Sequence, residues 1–206
     1  MLRKRGTAPI FAPIIVKMVL TSEEAGKAVL KRVHRQIRSN RLPVKDFMLD
    51  SHSFRQMMGC FATGIAVATT SATDGAGVGL TVNSLTSVSL DPPLVLFCID
   101  KKAQLYPVFK AATVFAFNFL GDGQEHISRH FADHHHHPKP KNMWERPQEG
   151  CPILRQTLGW VVCRKTAMYK GGDHDIILGE AVKLHKRSGH RDPLLYFHGR
   201  YRGIKA

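Results

Sequence analysis

The sequence predicts a mainly β fold, an antiparallel barrel with helical elaborations. Three observations lead there. Between Gly64 and Tyr201 the apolar residues fall mostly into runs of strand length, not helical periods. Turn signals separate the runs, Asp74-Gly75 and Gly171-Gly172-Asp173 among them. The intervening helical stretches are few and short, which suits a barrel better than a bundle or an α/β sheet.

Taken in order, residues 1–50 form a basic N-terminal extension. A charged start precedes a short apolar stretch broken by Pro13 and Lys17, a weak match to a signal peptide with no small-x-small cleavage site. Thr21 to Glu24 has capping-box spacing, and Ala25, Val29, Val33 and Ile37 repeat every four residues. That predicts an amphipathic helix with Lys27, Lys31, Arg35 and Arg38 outward. The domain proper runs over 51–206. Ser53 to Gln56 reads as a capping box opening a helix through Phe61. Residues 64–82 read as strand, turn, strand, with Asp74-Gly75 at the turn. Leu94 to Ile99 is a continuous apolar run, the pattern of a buried strand. Gln104–Ala111 suits a short helix, with Pro107 near its start where proline is tolerated. Residues 113–120 alternate, placing Phe115, Phe117 and Phe119 on one face and Val114, Ala116 and Asn118 on the other. Asp122 to Glu125 can cap a helix through Phe131. Residues 132–150 read as a loop. Three strands close the chain: Leu158–Tyr169, Asp175–Lys186 and Leu194–Tyr201.

Hydrophobic content of 43% and charged content of 22% are ordinary for a globular protein. No apolar run approaches the roughly 18 residues of a membrane span. Four cysteines lie far apart with no Cys-x-x-Cys pair. Cys60 and Cys98 sit in apolar context, so buried free thiols in a reducing, cytoplasmic compartment are expected. The net charge is +14, and residues 1–50 hold 11 Lys/Arg against 4 Asp/Glu. Half the excess therefore sits in a quarter of the chain. The remainder has no zinc finger, helix-turn-helix or aromatic-plus-basic RNA motif, so no nucleic-acid partner is expected.

One stretch resists a simple strand reading: "GLTVNSLTSVSLDPPLVLFCID", residues 79–100. Hydroxyls and an amide are threaded between Leu80, Val82, Leu85, Val88 and Leu90. The alternation breaks at Asn83-Ser84, where two polar residues are adjacent. A break of phase means a bulge or turn that re-aims side chains. Small hydroxyls there let a flat ligand approach the backbone and bond to phosphate or ribityl oxygens. The plainer alternative is a Ser/Thr-rich surface strand.

"FRQMMGCFATGIAVATT", "GLTVNSLTSVSLDPPLVLFCID", "FAFNFL", "GGDHDIILGEAV" and "PLLYFHGRYRGI" occur together and in register. Over about residues 53–204 the chain resembles the short-chain flavin reductases, the reductase components of two-component flavin-dependent monooxygenases. The resemblance implies an antiparallel split β-barrel of the FMN-binding kind, a homodimer, and a separate oxygenase that receives reduced flavin. It implies that Thr81, Val82, Asn83 and Ser84 line the isoalloxazine ring, largely through backbone groups. Ser87 and Ser89, with Asp100, Lys101, Lys102 and Gln104, would reach the ribityl chain and phosphate. Asn118 would lie near the flavin on the neighbouring strand. His174 and Tyr201 would border the nicotinamide of NADH or NADPH. Where the family commonly carries a serine and a threonine after this lysine pair, the chain has Ala103 and Leu105. A hydroxyl contact to phosphate is thereby lost, which bears on FMN against FAD.

The reaction implied, hydride transfer to flavin, needs no nucleophile or triad, and the sequence offers none. His134–His137 lack fixed geometry and read as a solvated loop, not a metal site. Trp160 reads as core and Trp144 as a loop residue able to act as a lid. Two other function classes are open to the sequence. One is a flavin- or haem-holding barrel without turnover. The other is a nucleic-acid or membrane-surface binder using residues 1–50.

Overall fold

The computed structural model describes residues 49–133, 142–145, 147–189 and 191–204. The amphipathic helix expected over 21–40, the apolar stretch before it and the four-histidine tract lie outside the described residues. Every described helix and strand belongs to the compact unit Asp50–Ala206.

The unit opens with α1 (Ser51–Gly59). Its cap is not the expected Ser53 box. Asp50 is the N-cap, and its Oδ1 accepts from the N–H groups of His52 at 3.0 Å and Ser53 at 2.9 Å. An aspartate ahead of the box competes better for those donors. Ten strands follow: β1 (Thr63–Gly64), β2 (Ala66–Ser71), β3 (Gly77–Val82), β4 (Thr86–Leu90), β5 (Pro93–Asp100), β6 (Val114–Phe119), β7 (Gly159–Gly171), β8 (His174–Lys186), β9 (Leu195–Phe197) and β10 (Arg200–Arg202). Two short helices, α2 (Tyr106–Ala111) and α3 (Glu125–Ala132), interrupt them.

Seven strands form one antiparallel sheet in the order β3-β2-β6-β7-β8-β5-β4, and β1-β9-β10 form a small second sheet. The strands β3 and β4 are the two edges, yet only Asn83–Leu85 separate them in the chain. Four Cα steps span at most about 15 Å. A flat sheet of seven strands would hold its edges about 29 Å apart. The sheet must therefore curl until its edges meet, and the alternation break at Asn83-Ser84 is the point where they do. No pairing joins β3 to β4 among the described residues, so the barrel is split at this seam.

The interior fills from both faces of β6. Phe97, Phe109, Phe115 and Phe117 form a buried aromatic quartet with centroids 5.3–5.8 Å apart, mostly edge to face. Each such ring contributes about 2–3 kcal/mol by burial alone. Gly179 permits this packing, since a Cβ there would lie 2.6 Å from the Phe115 ring. Trp160 joins a cluster with Ala116, Ile153 and Val162 on the other side, as expected of a core residue.

Several expectations are corrected. Cys60 is exposed and Cys98 half-buried; the buried thiols are Cys151 and Cys163, both pushed up to about 12 by desolvation. Asp122 does not cap α3. Its Oδ1 accepts from the N–H of Gly123, and the position before the helix is Gln124, without a side-chain cap. The last strand is two, turning at His198-Gly199, both with positive φ (49° and 71°), the backbone a two-residue hairpin of the I′ kind requires. Trp144 is half-buried, packs edge to face on Phe131 at 5.8 Å and pairs with Leu154, which makes it a wall of the core and not a lid.

Candidate active site

The seam builds the site. The hydroxyl of Ser84 accepts from the N–H of Cys98 at 3.0 Å and stands 3.3 Å from the same residue's carbonyl. One side chain thus takes the place of a missing strand partner and pins the corner against β5. The strands flanking the seam each pair on one side only, so their outer backbone groups remain available to a ligand. A bulge between Ser87 and Ser89 bends β4 as it leaves the corner. Both serines stand at the surface, Ser89 half-buried. Behind the corner, Val82 is buried and Thr81 donates to the carbonyl of Ser128 at 2.7 Å. The Ser128 hydroxyl lies 3.0 Å from that of Tyr201. Thr81 and Tyr201, 120 residues apart in sequence, are thus tied to one turn of α3.

A cleft of ≈ 1080 Å³ opens beside the seam, lined by Asn83 and Ser84, by Arg55 and Met58 of α1, and by Thr63 and Tyr196. The Oγ1 of Thr63 is buried there without a hydrogen-bond partner. An orphaned hydroxyl in a large, mostly apolar cleft fits a flat ligand with polar edges.

The second half of the site lies farther along β5. Asp100 pairs in register with His174 at the start of β8, and sits about 7 Å along the strand from Cys98. Asp100 accepts from the N–H of Lys102 at 2.8 Å, turning the chain into an exposed Lys102 and Gln104. Lys101 faces the β7–β8 hairpin. Its N–H donates to the Asp173 carbonyl at 3.1 Å, and its ammonium donates to the Gly172 carbonyl. Gly172 has φ +77° at the first central position of a two-residue turn, where the II′ kind demands glycine. His174 is partly exposed, and its Nδ1 lies 2.8 Å from Asp173 Oδ1. That contact holds the Asp173 carboxyl below the usual range.

Of the expected residues, the structure gathers Thr81 to Ser84 with Tyr201 on one side, and Asp100 to Gln104 with His174 on the other. Asn118 stands apart. Its side chain is fully buried, with Nδ2 donating to the Val67 carbonyl (3.1 Å) and Thr69 Oγ1 (3.0 Å), while Oδ1 accepts from the Leu154 N–H (2.8 Å). Ala103 and Leu105, where the family pattern has hydroxyls, pack against the aromatic core. Sequence reasoning missed Arg55, Met58 and Thr63 at the cleft. It also gave Asp175, at the start of the strand Asp175–Lys186, no role, whereas the residue is buried and bonded to Tyr106. An acid opening a strand that continues Ile176-Ile177 was the available clue.

Residues 58–205 match the flavin reductase like domain. The chain belongs to that family. It is thus a flavin reductase, and its relatives agree. The chain is 40% identical over 152 residues to the FMN reductase (NADH) SmoA of Agrobacterium fabrum, covering 74% of this chain and 85% of that protein. It is 32% identical to the reductase subunit HsaB of a flavin-dependent monooxygenase of Mycobacterium tuberculosis, over 76% of this chain and 84% of that one. Among solved structures, the Streptomyces globisporus NADH:FAD oxidoreductase SgcE6 in complex with NAD and FAD fragments superposes with a TM-score of 0.70 at 36% identity, covering 76% of the reductase and 93% of SgcE6. The split-barrel expectation holds, and flavin reduction prevails over a barrel without turnover.

Proposed function

We propose that this flavin reductase oxidises NADH, or NADPH, to reduce FMN or FAD, and releases reduced flavin to a separate oxygenase. The observation that carries the reading is the open seam with its cleft, where unpaired strand edges, small hydroxyls and an orphaned buried hydroxyl converge. Asn83 and Ser84 would hold the ring in the cleft, and Ser87, Ser89, Asp100, Lys102 and Gln104 would meet the ribityl chain and phosphate. When bound, flavin supplies the hydride acceptor and the nicotinamide the donor. The chain supplies the rest. Backbone N–H groups at the seam would donate to the carbonyl edge of the ring and stabilise negative charge there. Lys102, whose ammonium has no protein partner among the described residues, faces phosphate. At His174 a carboxylate can only accept, so Nδ1 carries the proton and donates to Asp173. Nε2 of the neutral ring is then an acceptor, suited to a carboxamide N–H of nicotinamide. Tyr201, joined to Thr81 through Ser128, belongs to the seam side of the site.

The active form is a homodimer. No residue of α1 is buried, although it carries Phe54, Met57 and Met58 and leads to Phe61, the last 71% exposed. A second copy is the cover this apolar face needs. Every residue of the proposed site follows Asp50 in the chain. Among the described residues no helix is long and apolar enough to cross a membrane, and the reducing cytoplasm suits four free thiols.

The test is spectroscopic. Purified protein mixed with FMN or FAD should shift the flavin absorption band, and NADH addition should bleach it. The flavin should bind at around micromolar, roughly −8 kcal/mol, because it must leave to serve the oxygenase. NADH oxidation that does not depend on added flavin, or flavin retained through exhaustive dialysis, refutes release.

A further inference from the structure

The lysine pair at residues 101–102 divides its labour. Lys102 is exposed with an uncommitted ammonium among the described residues. Lys101 is spent on its own protein. It grips the β7–β8 hairpin in three ways: its N–H on the Asp173 carbonyl, its ammonium on the Gly172 carbonyl, and the same ammonium 3.3 Å from Asp175 Oδ1. These contacts fall on residues 172, 173 and 175, and the residue they enclose is His174.

The far side of this clamp is equally specific. Asp175 is 7% exposed. Its Oδ2 accepts from the Tyr106 hydroxyl at 2.6 Å. Its Oδ1 is buried without a hydrogen bond, so the Lys101 charge is what compensates it. Tyr106 opens α2, and α2 is itself tied down at its other end, where the Lys165 ammonium donates to the carbonyls of Phe109 (3.1 Å) and Lys110 (2.6 Å). A chain of polar contacts therefore runs from β7 through α2 and Asp175 to Lys101 and the hairpin turn. A hairpin tip with Gly171 and Gly172 is the segment most in need of such a tether. The ammonium directs one donor at the Gly172 carbonyl and keeps its charge 3.3 Å from Asp175.

We propose that Lys101 is a positioning residue for the nicotinamide site: with Asp175 and Tyr106 it fixes the hairpin that presents His174. The flavin phosphate is left to Lys102. The assignment rests on the proposed placement of the nicotinamide at His174.

The experiment uses the full chain and steady-state kinetics with NADH, alongside flavin titration followed by fluorescence. Lys101→Met should raise the KM for NADH about tenfold while the flavin Kd stays within twofold. Lys101→Arg should recover most of the loss. The readout that a merely structural role would not move is coupling: Lys101→Met combined with His174→Ala should be no worse for NADH than His174→Ala alone. If Lys101→Met does not fold, Tyr106→Phe carries the test, because it frees the Asp175 carboxylate without removing a charge; a rise of about threefold in the KM for NADH is expected. Additive losses, an unmoved KM for NADH in both variants, or a flavin Kd weakened tenfold by Lys101→Met would each overturn the assignment. A wild-type chain that does not oxidise NADH with flavin present would instead sink the functional reading itself.

Discussion

Replacing Asn118 by alanine separates a structural amide from a flavin contact. The side chain makes three hydrogen bonds and is completely buried. Alanine leaves the Leu154 N–H and the Val67 carbonyl without these partners, while the Thr69 hydroxyl keeps the Pro152 carbonyl at 2.7 Å. Three hydrogen bonds at about 1 kcal/mol each, with the Leu154 N–H left unpaired in the core, put the loss at about 3 kcal/mol. In a chain of this size that lowers Tm by roughly 6–12 °C. Urea unfolding is the assay. The midpoint should fall with an unchanged slope, since the exposed area is the same. Flavin titration of the still-folded variant at low temperature should give a Kd within threefold of wild type. A stability loss under 1 kcal/mol would show that the amide is not the strut its contacts describe. A tenfold weaker flavin Kd in a protein of undiminished stability would make Asn118 a ligand of the flavin and refute the reasoning.

Three more outcomes are expected. His174→Ala should raise the KM for NADH about tenfold, equivalent to one hydrogen bond of about 1.4 kcal/mol, with flavin affinity little changed; equal weakening of both would place the residue at the flavin or in the fold. Deleting residues 1–47, so that Met48 starts the chain, should leave turnover nearly intact, because every site element lies after Asp50; a folded truncated protein unable to bind flavin would mean that the extension covers the site. Acid titration should show Asp175 at work. The Tyr106 hydroxyl and the Lys101 ammonium hold its carboxyl below the ordinary range. The stability it contributes is therefore in place above the ordinary value of about 3.9 and is lost as pH falls through the lower folded value. Melting followed from pH 6 to pH 2 should show a shallower acid decline in Tyr106→Phe than in wild type; identical slopes would remove Asp175 from the account.

The contrast between residues 79–100 and Asp175 shows what a sequence can reveal of such a site. Strand-length runs and hairpin glycines gave away the barrel, because side-chain period and positive φ are local properties. The seam was legible for the same reason. Two adjacent polar residues in an alternating strand, Asn83 and Ser84, violate a local rule, and the chain departs from the sheet where they stand. What the residues did there was not legible. Ser84 turns out to bond to Cys98 on another strand, and only the pairing of β5 with β8 brings Asp100 beside His174. Asp175 failed in the opposite direction. Its local context, at the start of a strand after glycines and a histidine, gave no sign of a role, and its burial follows from a tyrosine 69 residues away. Asn118 was placed on the right strand, but its bonds to Val67, Thr69 and Leu154 were not legible, because both faces of β6 are covered and alternation cannot say which face meets solvent. Thus the positions that break a local pattern could be found by reading, whereas the division between the ammonium that holds the hairpin and the ammonium left for phosphate appears only when β5, β8 and α2 are packed together.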